Sequence, residues 1–121
     1  MSHPSGQGAP APGDLVRVCA LGDLEDSVPL RVEVGGTPVS VVRTEGEVFA
    51  VHDICSHANV SLSEGEVVDC RIECWLHGSS FDLRTGKPSG LPATRPIPVY
   101  PVTIDGDGPD AAVLVSLTQE S

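Results

Sequence analysis

Two short groups of residues in this sequence could do chemistry: Cys55-Ser56-His57 and, further along, Cys74-Trp75-Leu76-His77. Each offers one thiolate and one imidazole, and ligands one or two residues apart within a loop can converge on a common metal centre. Two soft thiolates with two borderline imidazoles suit either zinc or an iron–sulfur cluster, so donor type alone leaves both open. Zinc pairs more often show C-x-x-C or H-x-x-x-H spacing, which makes the C-x-H group a poorer fit to structural zinc. The chain has four cysteines, and two disulfides would need an oxidising destination. The opening Met1-Ser2-His3-Pro4-Ser5 lacks the charged and apolar regions of an export signal, so metal ligation is the better reading. Cys19 and Cys70 have no histidine at comparable spacing and read as unpaired structural thiols. His3 falls in the tail, and His52 is expected at a strand end.

Short strands must hold these groups. Leu15 to Cys19 reads as a strand, and Arg31-Val32-Glu33-Val34 alternates polar with apolar before Gly35-Gly36, a two-residue hairpin turn. Val39 to Val42 continues the meander, and Glu45-Gly46 turns into Glu47-Val48-Phe49-Ala50-Val51, a half-buried strand that leads to the first ligand group. After a loop from Cys55 to Glu64, Gly65 to Val68 and Arg71 to Glu73 form a hairpin that reverses near Asp69-Cys70 and delivers the second group. Phe81-Asp82-Leu83 turns at Thr85-Gly86. Pro96, Pro98 and Pro101 each remove a ladder donor, so the run from Ile97 to Ile104 is expected at an edge or bulged. The Asp105-Gly106-Asp107-Gly108 turn then leads into Ala112 to Val115.

With 121 residues the chain has room for one domain, so no separate catalytic domain is expected beside a cofactor domain. Valine, glycine and proline are plentiful and aromatic residues few, which predicts an all-β fold with a thin core that a bound metal would help to hold. Seventeen acidic residues against seven basic ones give a net charge of -10, which argues against nucleic acid and anionic membranes as partners. A basic partner face is more plausible, although the acidity is also enough to explain solubility. No run approaches the ~20 apolar residues of a membrane span, and a cytoplasmic location is expected.

The residues around the four candidate ligands narrow the choice. Cys55-x-His57 with Cys74-x-x-His77-Gly78-Ser79, followed by Phe81-Asp82-Leu83-x-Thr85-Gly86, resembles the Rieske family, whose pattern is C-x-H, a spacer of similar length, then C-x-x-H-G-[ST]. The likeness runs from about Leu15 to Leu117 in strand order, with specific motifs between residues 53 and 104. It implies antiparallel sheets in a sandwich with a smaller cluster-binding subdomain formed by two loops, at about residues 53–83 of a domain spanning 14–118. Residues 1–13 would be a disordered tail. It also implies one [2Fe-2S] cluster, with Cys55 and Cys74 on the inner iron and His57 and His77 on a solvent-facing outer iron. Gly78 would allow close approach of the backbone, and Ser79 would donate to a cluster sulfur. Phe81 stands where respiratory members have a tyrosine, and Val60 and Leu76 stand where their bridging cysteines would be. The likeness is therefore to the low-potential, oxygenase-associated ferredoxin branch. Trp75 replaces the proline of most members and is a candidate docking residue.

The function that this resemblance implies is one-electron transfer from a flavin-dependent reductase to a terminal oxygenase. Iron–sulfur cluster assembly and a nitrite reductase small-subunit role are the alternatives. The chain has no G-x-G-x-x-G after a strand, so flavin and nicotinamide would sit on another polypeptide. An oxygenase would need two further histidines and a carboxylate for a mononuclear iron, and only His3 and His52 remain. A zinc-stabilised interaction module is the third reading. Docking is expected to use exposed carboxylates that bracket the ligands, namely Glu64, Glu66 and Glu73 with Asp53, Asp69 and Asp82.

Overall fold

A computed structural model describes residues 15–55, 60–75, 79–89 and 95–117. They form ten strands: β1 (Leu15–Ala20), β2 (Leu30–Val34), β3 (Thr37–Thr44), β4 (Glu47–His52), β5 (Val67–Val68), β6 (Arg71–Glu73), β7 (Ser80–Asp82), β8 (Val99–Tyr100), β9 (Val102–Asp105) and β10 (Ala112–Ser116). The candidate tail at 1–13 lies outside the described residues. No helix among them is long and apolar enough to cross a membrane.

Three two-residue reversals shape the chain. Gly35-Gly36, Glu45-Gly46 and Asp69-Cys70 all have positive φ at both positions, the backbone that matches the twist of paired strands. The first two join β2, β3 and β4, and β8 pairs with the far side of β4, giving a sheet of order β2-β3-β4-β8. A second sheet has order β1-β10-β9, with a bulge in β1 between Arg17 and Cys19. A third has order β5-β6-β7. Every strand pair is antiparallel.

The four-stranded sheet is covered on both faces. Val39, Val41, Ala50 and Tyr100 pack with Val113, Val115 and Cys19 of the β1-β10-β9 sheet. The alternate residues Val42, Phe49, Val51 and Val99 pack with Leu62, Ile72, Phe81 and Leu83 on the ligand side. This explains why residues 39–42 of β3 are buried without a break instead of alternating. Two expectations are refined. The ligand-bearing subdomain is not built of loops alone, because β5-β6-β7 gives it a sheet of its own. The proline-rich run is not one strand: it breaks at Pro101 into β8 and β9, which edge two different sheets.

Gly86 knits the ligand side to β8. Its N–H donates to the Asp82 carbonyl at 2.7 Å and its carbonyl accepts from the Ile97 N–H at 2.9 Å. A Cβ there would lie 2.1 Å from the Ile97 carbonyl oxygen, whereas at Gly36, with a similar positive φ, it would meet nothing within 4 Å. Gly36→Ala should therefore cost only the left-handed backbone penalty of about 1–2 kcal/mol. Gly86→Ala adds a backbone clash and should lower the thermal midpoint clearly further. Equal midpoints for the two variants would show that the close approach at Ile97 is not tight.

Candidate metal centre

The two candidate thiol ligands meet on one apolar wall. Cys55 and Cys74 are both buried, both are free of disulfides, and both belong to the cluster formed by Leu62, Ile72, Phe81 and Leu83. Cys55 follows β4 by three residues and Cys74 follows β6 directly, so each thiol hangs at the end of a strand that the sheet holds fixed.

The same backbone device closes both loops. The Cys55 N–H donates to the Val60 carbonyl at 3.1 Å, and the Cys74 N–H donates to the Ser79 carbonyl at 2.6 Å. Below the first closure, Ile54 bridges to Ser61 and the Leu62 N–H donates to the Asp53 carbonyl at 2.5 Å. Below the second, Glu73 pairs with Ser80 in the β6–β7 ladder. Gly65 sets the loops side by side, since a Cβ there would lie 1.8 Å from the Glu73 carbonyl oxygen. Only glycine lets the limb returning from the first loop press on the strand that leads into the second. The Glu73 N–H then reaches the Glu66 carbonyl at 2.8 Å.

His57, His77 and Gly78 lie outside the described residues. The donor chemistry of the described part fits a thiolate-bound cluster: two buried cysteines outside any disulfide, from two separately closed loops, share one apolar surround. Cys19 and Cys70 differ from them. Cys19 packs on the far side of the central sheet, Cys70 sits in the β5–β6 turn, and burial pushes both thiols up from the ordinary value, as suits protonated structural groups. His52 ends β4 as expected. Its Nδ1 lies 3.3 Å from the Tyr100 hydroxyl, and burial lowers its pKa against an opposing pull from Asp53.

The flanking residues divide. Ser79 and Phe81 are buried, and Phe81 faces the wall that holds both cysteines. Trp75, beside Cys74, is 50% exposed, and Glu64, Glu66, Asp69 and Glu73 are exposed. Two expected docking carboxylates are corrected. Asp82 is half-buried and caps its own turn, accepting from the Arg84 N–H at 2.7 Å and the Thr85 N–H at 3.3 Å. Asp53 is fully buried. It accepts from the Ser61 hydroxyl, the Ser63 N–H at 2.8 Å and Arg31 Nη1 at 3.2 Å. Position near the ligands says nothing about exposure, and only the chain reversal reveals that Ser61-x-Ser63 faces Asp53.

Comparison with known proteins agrees with this geometry. A family model described as the Rieske [2Fe-2S] domain matches residues 14–101. The ferredoxin component of biphenyl 2,3-dioxygenase from Rhodococcus jostii (strain RHA1) is 44% identical over 93 residues, 77% of this chain and 87% of that protein. The ferredoxin of carbazole 1,9a-dioxygenase from Nocardioides aromaticivorans IC177 superposes with a TM-score of 0.79 at 39% identity, covering 86% of this chain and 98% of that one. A chain from a complex of reduced oxygenase and oxidized ferredoxin in carbazole 1,9a-dioxygenase gives 0.78 at 34% identity, covering 88% and 96%.

Phe81 and Ser79 generate a test. Hydrogen bonds to cluster sulfurs raise the reduction potential, so Phe81→Tyr should raise it and Ser79→Ala should lower it, both read by voltammetry. Because Phe81 is fully buried, a new hydroxyl that found no sulfur would be left unsatisfied. A lowered thermal midpoint with an unchanged potential would therefore refute the placement of Phe81 beside a thiolate ligand.

Proposed function

The chain belongs to the Rieske [2Fe-2S] domain family, and from that membership we propose that it is a one-electron carrier between a flavin-dependent reductase and a terminal oxygenase. The observation that carries the reading is the pair of buried cysteines brought to one apolar wall by two closed loops, in a chain whose relatives are ferredoxin components of dioxygenases. It is an electron-transfer component and not the catalyst. The names of these relatives favour a terminal oxygenase over cluster assembly or a nitrite reductase as the acceptor.

We assign Cys55, His57, Cys74 and His77 as the ligands of one [2Fe-2S] cluster within a working domain of about 14–118. Bound there, the cluster supplies a single one-electron site, in a class whose potentials run from about -150 to +300 mV against about -400 mV for plant-type ferredoxins. The charge count explains the difference. Two ferric ions, two sulfides and two thiolates sum to zero, whereas four thiolates leave two negative charges that oppose an added electron.

The chain's own residues do the rest. Leu62, Ile72 and Phe81 keep water from the thiol side, while Trp75 is half-exposed beside Cys74. Glu66 and Glu73 lie on the outward face of the β5–β6–β7 sheet, opposite Val67 and Ile72, with Arg71 among them. We propose the cytoplasm as its location, where a flavin-dependent reductase partner would also be found.

Purified protein should contain about two iron and two acid-labile sulfides per chain, with a mixed Cys/His signature in the reduced EPR spectrum. One zinc without sulfide would end the reading. His57→Ala and His77→Ala should each abolish the signal. In stopped-flow reduction by the cognate reductase, neutralising Glu64, Glu66 and Glu73 together should slow association several-fold at low salt, because exposed charges act only over about 8–10 Å at ordinary ionic strength. Trp75→Ala should slow transfer at every salt concentration. An unaffected Trp75→Ala rate would make that side chain a matter of packing.

A further inference from the structure

Asp53 is the one buried carboxylate among the described residues, and electron transfer as argued above does not use it. A charge removed from water is tolerated only when it is paired and its lone pairs are filled. Asp53 meets both conditions with groups from two places. From the limb that returns after the first ligand loop it accepts the Ser61 hydroxyl, the Ser63 N–H at 2.8 Å and the Ser63 hydroxyl at 3.4 Å. From β2, the edge strand of the central sheet, it accepts Arg31 Nη1 at 3.2 Å. Its own backbone joins the same loop limb to β3, the strand next to β2. The Asp53 N–H donates to the Pro38 carbonyl at 3.0 Å, and its carbonyl accepts from Leu62.

We propose that Asp53 is a positioning residue that clamps the first ligand loop shut, and that Arg31 supplies the counter-charge which keeps its carboxylate from opposing reduction. The inference rests on the cluster-carrier reading. Outgoing and returning limbs of the loop run through residues 53–55 and 60–63, so a carboxylate bonded to 61 and 63 closes the loop at its base. Above that base the Cys55-to-Val60 bond closes the rest. Opening the base would carry Cys55 off the apolar wall. The two serines are therefore loop-side partners and Arg31 is the sheet-side partner, with separable roles: Ser61 and Ser63 act on geometry, Arg31 on charge. Arg31 is itself partly exposed and also lies 3.6 Å from Glu33, so its pull on Asp53 is shared.

The test uses the loaded protein and four variants: Asp53→Asn, Asp53→Ala, the Ser61→Ala/Ser63→Ala double variant, and Arg31→Met. Cluster loss is followed as bleaching of the visible absorbance under an iron chelator, beside the reduction potential and the thermal midpoint. Asp53→Asn is isosteric and keeps one acceptor for the Ser63 N–H, so it guards against simple misfolding of Asp53→Ala. Bleaching should be at least tenfold faster in Asp53→Ala, and several-fold faster in Asp53→Asn and the double serine variant. Arg31→Met should bleach within twofold of the parent but have a lower potential, whereas Asp53→Asn should have a higher one. Opposite shifts of this kind would not follow from a general loss of stability. A loaded parent whose Asp53 and serine variants bleach no faster, or faster only in step with their thermal midpoints, overturns the clamp alone. Unmoved potentials in Arg31→Met and Asp53→Asn overturn the counter-charge. A parent that carries neither iron nor sulfide overturns the carrier reading and this inference with it.

Discussion

Cys55 and Cys74 can serve one metal centre only if the strand ends that carry them are locked side by side, and the apolar seam between the central sheet and the β5–β6–β7 sheet provides the lock. Leu62, Ile72, Phe81 and Leu83 are fully buried there, and side chains of this kind contribute about 1.5–3 kcal/mol each on burial. The backbone bonds that close the two loops contribute about 1 kcal/mol each. Magnitude thus assigns the roles: the seam fixes where the loops sit, and the hydrogen bonds fix what shape they take. The Asp69-Cys70 turn shows the seam prevailing over local preference. Left-handed backbone is more costly for cysteine than for aspartate, and Cys70 is held in it with its side chain buried in the seam.

Two polar attachments flank that seam, and they are unequal. On one side Arg84 reaches Glu47 at 3.0 Å and Glu45 at 3.6 Å, and its guanidinium lies 5.0 Å from the centre of the Phe49 ring. The hydrogen bond to Arg84 draws the Glu47 carboxyl below its ordinary value, but both partners stand in solvent. Exposed pairs are worth little after screening and side-chain entropy. On the other side Asp53 is fully enclosed, where an unpaired partner would be far more costly. The clamp beside Cys55 is consequently the attachment that geometry can least do without, while the Arg84 group tunes a seam that would hold in its absence.

Much of this was legible in the sequence, for identifiable reasons. The hairpins at Gly35-Gly36 and Glu45-Gly46 announce themselves because glycine marks left-handed backbone, and the candidate ligand groups stand out because thiol and imidazole spacing has few other uses. Cys19 and Cys70 were separable from Cys55 and Cys74 by the absence of neighbouring histidines. What the sequence could not display is partnership at a distance. Pro101 reads as a local break in one strand, yet it divides β8 from β9 because the chain there changes sheets. The β5–β6 hairpin was legible, but the short β7 concealed that Phe81 and its neighbours return to pair with β6 and complete a third sheet. Asp53 reads as one more acid in an acidic chain, and only the meeting of β2 with residues 61–63 turns it inward.

The distribution of charge constrains how such a carrier could find its partners. Glu45, Glu47 and Glu33 have arginine neighbours, while among the described residues no ion pair engages Glu64, Glu66, Asp69 or Glu73. That leaves negative charge near the ligand loops, as steering would require. Yet Asp105, Asp107 and Asp110 are also exposed, on and beside the β9–β10 turn in the sheet across the central one. Acid on both sides of the molecule attracts a basic surface without choosing which side meets it. Orientation must then come from something confined to the ligand side and active only at contact. Trp75, half-exposed next to Cys74, meets that description. Its ring is apolar, so salt does not screen it, and it can act only once water has been displaced between the two surfaces. On this view net charge governs how often an encounter happens, and contact at Trp75 beside the second ligand group governs which encounters pass an electron.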